Sequence, residues 1–149
     1  MHKTLLASIA GLLCLAAGVH AEPPAPLDLR FALSVDGRLV GTPRLLMQPG
    51  TPGEIRVEAD DGGGYRFEVR ADPPATPTDP PSIVLKAALH TRVDGDWQTL
   101  GEPVLQIALD GRPASIEIGR AGGEAAQYRI EVSARPAEDR ALAAPTAAR

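Results

Sequence analysis

The side chains best suited to chemistry near neutral pH are few here, and their spacing limits what they can do. The chain of 149 residues has one cysteine, Cys14, three histidines and one tryptophan, Trp97. Cys14, His2 and His20 lie in an apolar leading segment, which leaves His90 as the one imidazole downstream. Acid–base or nucleophilic catalysis needs a titratable group with a partner in reach. A Ser-His-Asp arrangement would pair His90 with Ser34, Ser115 or Ser133. Each of these serines occupies an outward position in a strand-like run, with no nucleophile-type turn around it. Zinc takes His or Cys ligands, and one remains. Calcium needs several oxygens on a short loop. Asp94-Gly95-Asp96 and Asp60-Asp61 are the candidates; each is too short for an EF-hand loop and suits a tight turn. Gly62-Gly63-Gly64 lacks the helix and lysine of a phosphate loop. No catalytic residue, metal or cofactor is therefore expected. The candidate binding residues are Trp97, His90, Asp94 and Asp96. Trp97 either caps one end of a core or stands exposed as an anchor for a partner, since interface hot spots are rich in tryptophan.

The leading segment has the pattern of an export signal over residues 1–21: Lys3, an apolar run from Leu5 to Val19, and the small-x-small triplet Val19-His20-Ala21. The run is short for a membrane span, which needs about 20 apolar residues. Leu13 stands before Cys14 where a lipoprotein signal has a small residue. Cleavage after Ala21 would remove the only cysteine, and with it any disulfide or thiol chemistry. It would also move the formal net charge one unit below −4, because Lys3 is lost and no acid is. An acidic balance argues against nucleic acid, which favours a basic face. Residues 22–26 read as a disordered lead, 27–136 as one β domain and 137–149 as a disordered tail.

Period-two alternation fills that domain. Leu27, Leu29, Phe31, Leu33 and Val35 share one face, and Asp36-Gly37 ends the run with a tight-turn dipeptide. A short piece at Leu39 to Gly41 leads to Pro43, Leu45 and Met47, then to strands at Glu54–Ala59 and Tyr65–Ala71. Folding these last two about Gly62 places Glu58, Arg56 and Glu54 opposite Arg66, Glu68 and Arg70. It also sets Val57 against Phe67 and Ile55 against Val69. The Pro-rich segment 72–81 reads as a stiff connector. A second half follows: Ile83, Leu85, Ala87 and Leu89; a turn at Asp94-Gly95; Trp97 and Leu100; Pro103, Leu105, Ile107 and Leu109; Asp110-Gly111; Ala114, Ile116 and Ile118; and Tyr128, Ile130, Val132 and Ala134. Here Glu117 faces Arg129 and Ile118 meets Tyr128.

The halves are copies. YRFEVRADP at Tyr65 matches YRIEVSARP at Tyr128, and Pro43, Leu45, Gly50, Pro52, Ile55 and Val57 match Pro103, Leu105, Gly111, Pro113, Ile116 and Ile118. Strands with one apolar face each must bury those faces against one another. The expected fold is all-β: an antiparallel β-sandwich or flattened barrel built from two four-stranded internal repeats, residues 27–72 and 82–136. The segment Gly111 to Gly119, GRPASIEIG, with Pro103 before it, resembles the hairpins of secretin-type β-domains and units of uncharacterised exported proteobacterial β-repeat proteins. The resemblance implies the compartment and a β-hairpin, and assigns no functional residue.

The expected function is that of an exported, non-catalytic binding protein, periplasmic or secreted, contacting another cell-envelope protein. Free sheet edges that accept a partner's strand would suit it. The alternatives are a small hydrolase using acidic residues, which requires a concave pocket with converging carboxylates, and a carbohydrate- or lipid-binding module, which requires exposed aromatics.

Overall fold

The computed structural model describes residues 24–59, 63–119 and 126–137. The expected signal at 1–21, the Asp60-Asp61 pair and the tail from residue 138 lie outside the described residues. Within them the chain forms ten strands: β1 (Leu27–Val35), β2 (Arg38–Gly41), β3 (Arg44–Met47), β4 (Pro52–Glu58), β5 (Gly64–Asp72), β6 (Ser82–Val93), β7 (Asp96–Gly101), β8 (Val104–Ala108), β9 (Ala114–Gly119) and β10 (Ala126–Pro136). They build two five-stranded antiparallel sheets. The sheets do not close into a barrel, so the architecture is a sandwich. No helix among the described residues is long and apolar enough to cross a membrane.

Each repeat holds five strands rather than four, for a reason visible at its prolines. β2 and β3 are one edge of the first sheet, interrupted at Thr42-Pro43, and both pair with β1. Pro43 has no N–H to give a ladder, yet its carbonyl still accepts from Phe31 N at 2.9 Å. The second repeat does the same: β7 and β8 both pair with β6, and Pro103 O accepts from Ala87 N at 3.0 Å. A register shift after Leu33 in one copy recurs after Leu89 in the other.

The repeats are intertwined. The first sheet joins β1, β2 and β3 of repeat one to β9 and β10 of repeat two; the second joins β6, β7 and β8 to β4 and β5. The equivalent pairings β1–β10 and β5–β6 stitch the copies together. The connector at 72–81 therefore spans neighbouring antiparallel strands, with Ala71 opposite Leu85. Where the chain changes sheets, Gly50 (φ 78°) donates to Ala71 O at 2.7 Å, and Gly111 (φ 80°) to Ala134 O at 3.0 Å. A positive φ suits glycine at both places. The hairpin implied across Asp110-Gly111 is thus corrected: β8 and β9 lie in different sheets, and the turn is a crossover.

The apolar faces meet between the sheets. Leu29, Leu33, Phe67, Leu85, Leu89, Ile107 and Val132 are fully buried, and the Phe31 and Phe67 rings lie 5.8 Å apart. Tyr65 and Tyr128, equivalent in the two copies, meet edge-on at 6.2 Å.

One expected register is also corrected. In the β4–β5 hairpin Glu54 faces Glu68, Arg56 faces Arg66 and Ile55 faces Phe67, two residues from the ion-paired alignment. The faces are preserved, because a shift of two leaves each side chain on its own side. The charges then pair along their own strands, Arg56–Glu54 at 2.7 Å and Arg66–Glu68 at 3.2 Å. Exposed ion pairs contribute about 0.5 kcal/mol each, too little to set the register against the inner face. That face places Gly53 opposite Val69, and a Cβ on Gly53 would come within 2.8 Å of Leu45 Cδ2. In β9–β10, by contrast, Glu117 faces Arg129 and Ile118 faces Tyr128, as the sequence predicts.

Asp28 occupies an outward position by alternation but is buried. Arg44 on β3 grips both its oxygens, Nε to Oδ1 at 2.6 Å and Nη2 to Oδ2 at 3.1 Å. The Arg44 hydrogen bonds hold the Asp28 carboxyl below its usual range, against the opposing effect of burial. A depressed folded-state pKa means stability present above the unfolded value, about 3.9, and lost as the pH falls through the folded one. Thermal melts between pH 7 and pH 2 should therefore show Asp28→Asn less stable than wild type at neutral pH and converging on it in acid. A constant gap across the series would contradict this.

Candidate functional site

The Asp94-Gly95 turn sets the local register. Val93 pairs with Asp96, so the loop is two residues long, with φ 51° at Asp94 and 92° at Gly95. Such a turn requires positive φ at both central residues, which Asp and Gly tolerate. Arg92 then lies beside Trp97, and His90 beside Thr99. On the other side of β6, His90 pairs with Arg66 of β5. Arg66, His90 and Thr99 thus form a row across the outer face of the second sheet.

Trp97, two residues before Thr99 on β7, lies in the neighbouring row beside Arg92. It is half-buried and is not among the residues of the core cluster, so it stands between the two alternatives of core cap and exposed anchor. The reason lies in its neighbours. Gly64 presents a bare backbone to the indole, close enough that a Cβ there would stand 3.6 Å from Trp97 Cη2. The Arg66 guanidinium covers the ring at 4.9 Å, a cation–π distance. Arg66 Nη2 reaches Glu68 Oε1 at 3.2 Å, and His90 Nε2 stands 3.7 Å from the same oxygen. His90 Nδ1 meets Thr99 Oγ1 at 3.0 Å. His90 is only 9% exposed, and neither its Nε2 nor Arg66 Nε has a hydrogen-bond partner among the described residues. Donors and acceptors left unpaired in a buried position carry a desolvation cost.

Beside this cluster the outer face dips into an open depression of about 540 Å³. Ala88, small among long charged neighbours, lies in its lining. Glu54, Glu68 and Glu102 line it together with Arg70 and Lys86. Acidic residues do gather here, but Glu54 and Glu68 are each held by the arginine two residues away on their own strand. At the lower rim Arg70 binds Asp72 at 2.9 Å and keeps that carboxyl below its usual range.

Of the four residues singled out by sequence, the fold brings His90 and Trp97 to one face. Asp94 and Asp96 are exposed at the hairpin tip, where Asp94 serves the turn. No group of three or more His, Cys, Asp or Glu side chains placed to hold a metal occurs among the described residues. Sequence reasoning missed Arg66, Glu68 and Thr99 as neighbours of His90. The Asp-Gly turn could have given Thr99; Arg66 required the β5–β6 register across the proline-rich connector. No family model matches the chain, and no curated protein or solved structure is significantly similar to it.

Proposed function

We propose that the chain is an exported protein, periplasmic or secreted, that binds another cell-envelope protein through the outer face of its second sheet and performs no catalysis. Export rests on Lys3, the apolar run Leu5 to Val19 and the Val19-His20-Ala21 triplet. The observation that carries the binding role is Trp97, half-buried outside the core, with the rim of its indole beside Gly64 and the Arg66 guanidinium over its ring. A preorganised aromatic beside an arginine is what interface hot spots are made of. Holding the ring before a partner arrives lowers the entropy cost of binding.

The test is retention of envelope proteins by immobilised wild type and by Trp97→Ala, matched for thermal stability. A hot spot of about 2 kcal/mol corresponds to roughly thirtyfold weaker binding of the same partner by the variant. Equal retention by both, or none by either, contradicts the proposal.

A further inference from the structure

Each sheet has one edge formed by the fourth strand of a copy, β4 in one and β9 in the other, and these equivalent edges differ in their protection. β4, at the edge of the second sheet, carries Glu54, Arg56 and Glu58, one charge at every second position. Charges on an edge discourage another strand from adding to it. The β2/β3 and β7/β8 edges are broken at Pro43 and Pro103. β9, at the edge of the first sheet, has the sequence ASIEIG: six residues with no proline and a single charge, Glu117. Its inward residues Ala114, Ile116 and Ile118 are only half-buried, since no strand among the described residues covers their open side.

The composition of β9 is self-complementary. If two copies pair antiparallel about a two-fold axis through Ile116, every inward residue meets an inward one, as the period of two requires. Ile116 meets its own copy, and each Ile118 meets an Ala114, large against small. On the outer face each Glu117 meets a Ser115. A shift of two residues one way sets Glu117 against its own copy, which is destabilising. A shift the other way pairs Glu117 with Pro113 and shortens the overlap. Glu117 already faces Arg129 on β10, which moderates its charge at the seam.

From this we infer that β9 is a self-association edge, where a second copy of this chain adds antiparallel about Ile116 and makes one sheet continuous across two molecules. The surface is separate from the Trp97 face, so Trp97→Ala should leave the association unchanged while testing the other proposal.

Sedimentation equilibrium over a concentration series tests the inference on the full chain. Wild type should show a reversible monomer–dimer equilibrium. Ser115→Glu sets like charges against Glu117 twice across the axis and should weaken the dimer at least tenfold at low salt. Adding Glu117→Lys to Ser115→Glu turns both contacts into opposite charges and should restore it. Thermal melts of each monomer would separate this effect from a loss of folding. A monomer throughout the wild-type series overturns the inference. So does a dimer indifferent to Ser115→Glu, which would place the contact elsewhere. So does a β9 edge that pairs only with a strand of another protein.

Discussion

Replacing Phe67 with alanine is expected to lower the unfolding free energy by about 4 kcal/mol, the usual cost of emptying a buried phenylalanine site. Phe67 is fully buried on β5, opposite Ile55 of β4 on one side and Leu89 of β6 on the other. Across the sandwich it meets Phe31 on β1, a strand of the other sheet. It therefore contacts both sheets, and the cavity it leaves cannot be closed by one strand moving in. Urea unfolding should show a lower midpoint with an unchanged slope. A loss below about 1.5 kcal/mol would mean that Phe67 does not sit between the sheets.

The second large effect tests the duplication itself. A Cβ added at Gly41 would stand 2.7 Å from Val57 Cγ1, and one at the equivalent Gly101 would stand 3.2 Å from Ile118 Cδ1. Both are close approaches between the two sheets, at opposite sides of the sandwich. Val57 meets the site with a γ-methyl, and its β-branched side chain is stiff at χ1; Ile118 meets it with Cδ1, the far end of a longer side chain that can turn at χ2. Gly41→Ala should therefore cost about 2 kcal/mol as an overpacked site, and Gly101→Ala under about 1 kcal/mol. Differential scanning calorimetry of the two variants provides the comparison. Equal small losses would place the edges of the two sheets further apart.

Much of this architecture could be read from residue order alone. Alternation gave the strands and their inward faces because every strand here has one wet and one dry side. The Asp36-Gly37 and Asp94-Gly95 turns declare themselves because a two-residue hairpin needs backbone that few other residues supply. The path between sheets was hidden. A run, a glycine turn and a second run look alike whether the chain folds back on its own sheet or crosses to the other. Gly50 and Gly111 make crossings, and what distinguishes them is a hydrogen bond to a strand more than twenty residues away. The β4–β5 register was misread because its charges could be matched on paper, while the side chains that decide it lie on the inner face. The burial of Asp28 was out of reach for a related reason: its partner Arg44 is on another strand. Half of the candidate site was legible. His90 and Trp97 stood out by scarcity, whereas Arg66 and Glu68 looked like ordinary surface charges until β5 was laid beside β6.

The central claim is that neither copy closes a sheet by itself: each sheet takes strands from both. Nuclear Overhauser contacts between backbone protons would test it most directly. Contacts joining Phe31 to Val132 and Phe67 to Leu89, with ring contacts between Tyr65 and Tyr128, are predicted by the intertwined arrangement. Backbone contacts joining β1 to β5 and β6 to β10 would instead show two self-contained sheets, and would contradict both the fold described and the outer face on which the binding proposal rests.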